Sequence, residues 1–138
     1  MRILAIDFGT VRVGLAICDD LEIVVTPRGA LPYSRKIVAT IARLVAEEGV
    51  ERVVVGAPRT RDGAETLTIR QARNFAARLR ARLPCLVDEW DESFSSRRAV
   101  ERMVEVGLPR SRRRRKETTD SWAAAIILEE YLEGRGKR

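Results

Sequence analysis

Hydrophobic positions at the start of the chain fall in short runs and strict alternations rather than at helical spacing. Ile3 to Ile6 is an unbroken apolar run closed by Asp7, the pattern of a central strand buried on both faces. Phe8-Gly9-Thr10 reads as a turn. Val13, Leu15 and Ile17 then alternate with Gly14, Ala16 and Cys18, a strand with one bulky and one close-packed face. Asp19-Asp20 is a second turn, and Ile23 to Thr26 predicts a third strand stopped by Pro27. A loop containing Pro27, Gly29 and Pro32 follows.

The pattern then changes period. Ile37, Ile41, Leu44 and Val45 keep one helical face, and Gly49 stands where a left-handed C-terminal cap is favoured. Val53 to Val55 predicts a buried strand closed by Gly56-Ala57-Pro58, with a loop over Arg59 to Ala64 turning at Asp62-Gly63. A second helix is expected from about Thr66 to Leu83 on a core face of Ala72, Phe75, Ala76, Leu79 and Leu83, with Pro84 ending it. Cys85-Leu86-Val87 starts a fifth strand. A third helix is expected over about Ser95 to Val106, and a last one from about Thr119 to Leu132, wholly apolar from Trp122 to Leu128. The tail from about Gly134 should fray. Strands that arrive through helices must lie parallel, so β-β-β-α-β-α-β-α-α predicts an α/β fold. Its mixed five-stranded sheet, an antiparallel meander plus two parallel strands, is flanked by helices in the RNase H-like order of elements.

Composition narrows the chemistry. A chain of 138 residues without repeat or linker fits a single domain spanning residues 1–138. There is no histidine, so Ser-His-Asp, Cys-His and imidazole–metal chemistry are excluded. Cys18 and Cys85 cannot build a zinc site alone and read as free thiols in a reducing cytoplasm. Any metal must bind through oxygen, which favours Mg2+ or Mn2+. No apolar run is long enough to span a membrane, and Met1-Arg2-Ile3-Leu4-Ala5-Ile6-Asp7 does not read as a signal peptide, so a cytoplasmic protein is expected. The formal net charge of +6 suits a polyanionic partner.

Three groups of acids stand out. Asp7 ends the first strand, where it either binds a cation or caps its own turn. Asp88-Glu89-Trp90-Asp91-Glu92 puts four acids in five residues, and strand alternation separates Asp88, Trp90 and Glu92 from Glu89 and Asp91. Asp120 shares a helical face with Ala124, Ile127 and Tyr131, so it should look toward the sheet. Carboxylates from the first strand, the fifth strand and the last helix would form an oxygen-only pocket for one or two divalent ions, suited to phosphodiester hydrolysis.

These residues resemble a known family. Asp7-Phe8-Gly9-Thr10, Val55-Gly56-Ala57-Pro58 with Asp62-Gly63, Trp90-Asp91-Glu92-Ser93-Phe94-Ser95-Ser96, and Lys116 with Asp120 before an alanine-rich helix look like the YqgF-like family. Its members are described as pre-16S rRNA nucleases or Holliday-junction-resolvase-like proteins. The resemblance runs over nearly the whole chain. It implies an RNase H-like nuclease and carries the acidic site onto Asp7, Glu92 and Asp120, choosing Glu92 over Glu89. Two positions depart from the family pattern: Ser93 stands where arginine is usual, and Thr60 where asparagine is usual. The missing arginine is a planar cation suited to phosphate, a role that Arg97 or Arg98 could take.

Arg112, Arg113, Arg114, Arg115 and Lys116 form an unbroken cationic run expected as a loop beside Asp120, either a solvated charge run or a clamp on nucleic-acid phosphates. Aromatic residues are only 5% of the chain, so a base-stacking platform is not expected; Trp90 and Trp122 read as core. The expected partners are a pre-rRNA, in a ribosomal small-subunit precursor, or branched DNA. Two other readings stand beside the nuclease. One is a nucleotide phosphotransferase, since Asp-x-Gly-Thr also opens the actin and sugar-kinase fold. The other is a non-catalytic RNA- or ribosome-binding module. Nothing in the sequence reads out the oligomeric state.

Overall fold

The computed structural model of the protein describes residues 1–58, 66–92 and 95–136, the side chains at 58, 92, 95, 96 and 136 excepted. The elements run β1 Ile3–Asp7, β2 Arg12–Cys18, β3 Val25–Pro32, α1 Ile37–Glu48, β4 Arg52–Pro58, α2 Leu67–Arg82, β5 Leu86–Glu92, α3 Ser95–Glu105, α4 Arg110–Arg113 and α5 Lys116–Gly136. The sheet order is β3-β2-β1-β4-β5. β1, β2 and β3 pair antiparallel, while β1–β4 and β4–β5 are parallel. This is the mixed sheet that the alternation predicts.

The pleat of β1 divides the core. Leu4 and Ile6 pack with Ile37, Ile41, Phe75 and Leu79 of α1 and α2. Ile3 and Ala5 pack on the other face with Ala124, Ile127, Leu128 and Tyr131 of α5. Both faces of β1 are buried, which is why its apolar run is unbroken. The same reasoning explains the apolar stretch of α5. Its inner face meets the sheet, and its outer residues Ala123 and Ile126 pack with Ala99 of α3, so Ala123 to Leu128 are buried and only Trp122 of the stretch stays partly exposed.

Several boundaries differ from expectation. β3 does not stop at Pro27 but runs on to Pro32, so the expected loop is strand. β3 lies at the sheet edge and pairs only with β2, where a proline lacking an N–H is tolerated. β4 likewise continues through Gly56-Ala57-Pro58. β5 begins at Leu86, leaving Cys85 half-buried just ahead of it, and both cysteines are free thiols. The basic run is not a loop. Arg112 and Arg113 donate backbone N–H groups to the Pro109 carbonyl at 3.0 Å, forming the short α4, and Lys116 already opens α5. α5 runs on to Gly136, and Arg135 pairs with Glu22 at 2.6 Å with its guanidinium 5.8 Å from the Tyr131 ring centre. The expected loop over Arg59 to Ala64 lies outside the described residues. None of the described helices is long and apolar enough to cross a membrane.

Candidate carboxylate site

Asp7 is the last residue of β1 and sits in phase with Ile3 and Ala5, which places it on the α5 side of the sheet. Its neighbours in register are Gly14 on β2 and Gly56 on β4. Both glycines are required by the approach of α5. A Cβ on Gly14 would stand 2.0 Å from the Asp120 carbonyl oxygen and 3.0 Å from its Cβ; one on Gly56 would stand 2.4 Å from Ile127 Cδ1. The close-packed face of β2 therefore seats the first turns of α5 directly on the strand beside Asp7. Adjacent strands lie about 4.8 Å apart, so Asp120 stands within roughly two strand spacings of Asp7.

Ser121 fixes that seating. It is 2% exposed, and its hydroxyl donates to the Leu15 carbonyl at 2.9 Å while accepting from the Gly29 N–H at 2.7 Å. Leu15 lies between Gly14 and Ala16, where the β2–β3 register shifts, so one hydroxyl ties α5 to both strands at an irregularity of the ladder. The sequence marks Ser121 only as an ordinary polar residue near a helix start, and its role depends on a bulge that periodicity does not show.

The Asp120 carboxylate is held by Arg12. Arg12 Nε donates to Oδ2 at 2.9 Å, with both side chains about a quarter exposed. A guanidinium thus enters the corner that the sequence reading takes as oxygen-only. The expected inward phase of Asp120, Ala124, Ile127 and Tyr131 is otherwise observed.

Glu92 ends β5, paired with Pro58, while Gly56, in register with Asp7, pairs with Trp90. Two strand spacings across and two residues along give a Cα separation from Asp7 of roughly 12 Å. The side chain of Glu92, and Ser93 with it, lie outside the described residues. Among the described residues no three His, Cys, Asp or Glu side chains cluster closely enough to hold a metal; of the expected set, Asp120 is seated on Gly14, the residue in register with Asp7.

Two other acids of β5, Asp88 and Glu89, are occupied elsewhere. Asp88 accepts the Tyr131 hydroxyl and pairs with Arg52 at 3.4 Å, whereas Glu89, on the opposite face, pairs with Arg80 at 3.1 Å. Burial and the Asp88 carboxylate push the Tyr131 phenol above its ordinary range, against the opposing effect of Arg52. Arg97 and Arg98, the expected substitutes for the missing arginine, pair with Glu101 and Glu130. Arg112, Arg114, Arg115 and Lys116 are exposed, but Arg113 is half-buried with its Nε sealed from solvent. Trp90 and Trp122 pack against the two clusters that contain α5, as expected of core residues.

Comparison with known proteins bears on the family and the fold. The chain is 41% identical over 134 residues to a protein of Maridesulfovibrio salexigens named as a pre-16S rRNA nuclease, covering 96% of this chain and 98% of that one. A protein of the same name from Anaeromyxobacter dehalogenans is 40% identical over 139 residues, covering 98% of each. Among solved structures, Thermus thermophilus RuvC in complex with a Holliday junction superposes with a TM-score of 0.59 at 15% identity, covering 99% of this chain and 96% of that one. The fowlpox virus Holliday junction resolvase gives 0.60 at 13% identity, covering 97% and 99%. At such identities the likeness is one of fold, and it is the RNase H-like fold. The profile of RuvX, described as Holliday junction resolvase, matches residues 1–134. The chain belongs to the RuvX family of nucleases.

Proposed function

We propose that this chain is a divalent-metal-dependent nuclease that hydrolyses phosphodiester bonds of structured RNA in 5′-end maturation of pre-16S rRNA, in the cytoplasm. The observation that supports the chemistry is the seating of Asp120 on Gly14, the residue paired in register with Asp7 at the end of β1. The substrate class follows the names of the relatives. The family description favours a second reading, a branched-DNA resolvase.

The donor set fits a hard cation: Asp7 and Asp120 offer only oxygen, and glycines on both sides of Asp7 keep bulk off the sheet. Asp7 and Asp120 would hold Mg2+ or Mn2+, with Glu92 as the third ligand by family resemblance. The cation supplies neutralisation of the scissile phosphate and activation of the attacking water, chemistry that needs no histidine base. The protein's share is placement. Ser121 and the two glycines fix Asp120 against β2, and the exposed Arg112, Arg114, Arg115 and Lys116 neutralise flanking phosphates. Lys116 stands one helical turn before Asp120.

The test compares wild type with Asp7→Asn under Mg2+ or Mn2+ on a pre-16S rRNA fragment, a four-way DNA junction and single-stranded RNA. Cleavage is expected on the rRNA fragment and is expected to fall by at least about a hundredfold in the variant, with the fold retained. Undiminished cleavage by Asp7→Asn, or cleavage in excess chelator, rejects the mechanism. Preference for the junction selects the second reading.

A further inference from the structure

Arg12 is the first residue of β2, in phase with Gly14, Ala16 and Cys18, and so belongs to the α5 face of the sheet. The turn before it is tight, since a Cβ on Gly9 would stand 2.3 Å from the Arg12 carbonyl oxygen. Asp7, Arg12 and Asp120 are thereby gathered at one corner. Arg12 binds an oxygen of a carboxylate that the proposed metal requires, through Nε to Asp120 Oδ2 at 2.9 Å. The side chains are 26% and 25% exposed, so the pair can separate without opening the core.

We propose that Arg12 is a positioning residue that holds Asp120 in the metal-free protein and passes to a substrate phosphate as the cation loads, which makes metal and nucleic acid bind cooperatively. This rests on the reading of Asp7 and Asp120 as metal ligands. A divalent cation on Asp120 brings two positive charges within a few ångströms of a guanidinium, so pair and cation compete for one carboxylate. A phosphodiester relieves the conflict, because it offers Arg12 a second anion of matching geometry, and a guanidinium carries four N–H donors besides Nε. By linkage, whatever favours release of Asp120 favours the metal, and the converse.

The test titrates Mn2+ into free wild type, Arg12→Gln, Arg12→Met, Arg12→Lys and Asp120→Asn by calorimetry. It then measures binding of a stem-loop RNA in Ca2+ and in chelator. Removing the charge is expected to tighten Mn2+ binding by about three- to tenfold, while Arg12→Lys stays near wild type. Ca2+ is expected to tighten RNA binding by wild type and to do so several-fold less in Arg12→Gln. A purely structural Arg12 predicts the opposite, weaker Mn2+ binding in step with lost thermal stability. That result, or unchanged Mn2+ affinity in both neutral variants, overturns the proposal; if one neutral variant does not fold, the other decides. Asp120→Asn reads the underlying assumption separately: unchanged Mn2+ binding there removes the metal-site reading itself, whereas its loss with no effect of Arg12 removes only this inference.

Discussion

A single missing side chain lets Asp120 sit on the strand residue in register with Asp7. Gly14 is not needed for an unusual backbone, since its φ is not positive; it is needed because the α5 backbone occupies the place of its Cβ. Gly29 is the opposite case, with a φ of +80° and open space around it. The two substitutions therefore separate packing from backbone conformation. Gly14→Ala is expected to cost at least about 2 kcal/mol in urea denaturation, because helix and strand must part. Gly29→Ala is expected to cost about 1 kcal/mol, the strain of a left-handed residue. Gly14→Ala should also lose cleavage in its folded fraction, since the helix that moves is the one carrying Asp120. Equal costs at the two positions, or full activity in Gly14→Ala, would show that the close approach does not govern the site.

At the scale of elements, α5 is fastened at both ends, and the two fastenings differ in chemistry. Ser121 holds the site end; the Tyr131 hydroxyl holds the far end by donating to Asp88 while accepting from Arg52 at 3.0 Å. A phenol whose pKa is raised contributes stability that is whole below its ordinary pKa of 10.0 and is lost as pH rises through the higher folded value. Tyr131→Phe is therefore expected to lower stability by about 1–2 kcal/mol at neutral pH. The gap should close above pH 10, where only the wild type still has a phenol to ionise; thermal melts across pH 7 to 11 would show it, and a constant gap would contradict it. Such ties also mark the limit of what the chain reveals in one dimension. Strand and helix faces are legible because each turns on a local period: Ile3 to Ile6 on two buried faces, Ile37-Ile41-Val45 on one. Asp7 and the inward Asp120 are legible for the same reason. The continuation of β3 through Pro27 is not, because it depends on which strand becomes the edge. Neither is Arg12, whose partner lies 108 residues away. The charge run of α4 misleads because side-chain repulsion is visible in sequence, whereas the Pro109 carbonyl that organises the backbone is not.

Across the whole molecule, the net charge of +6 is unevenly placed. Asp7 stands where β1 ends and Asp120 in the first turns of α5, while the cations Arg112 to Lys116 lie four to eight residues ahead of Asp120 in the chain. This division implies that holding nucleic acid and cutting it can be uncoupled. Phosphate contacts release counterions, so each contributes about 0.7–0.9 to the slope of log affinity against log salt. Replacing Arg112, Arg114 and Arg115 together by glutamine is expected to lower that slope by about 2 for a structured RNA. These side chains are exposed, so the fold should change by no more than about 0.5 kcal/mol, and Mn2+ binding should be untouched. Asp7→Asn should behave in reverse, losing cleavage while keeping the wild-type slope, because it removes a negative charge and no phosphate contact. A triple variant with an unchanged slope would place the nucleic-acid surface elsewhere, most plainly on the arginines of α2 and α3, although Arg80, Arg97, Arg98 and Arg102 there already pair with carboxylates. Cations held in such pairs must give up a partner to gain a phosphate, which is the physical reason for assigning the surface to α4 and the start of α5.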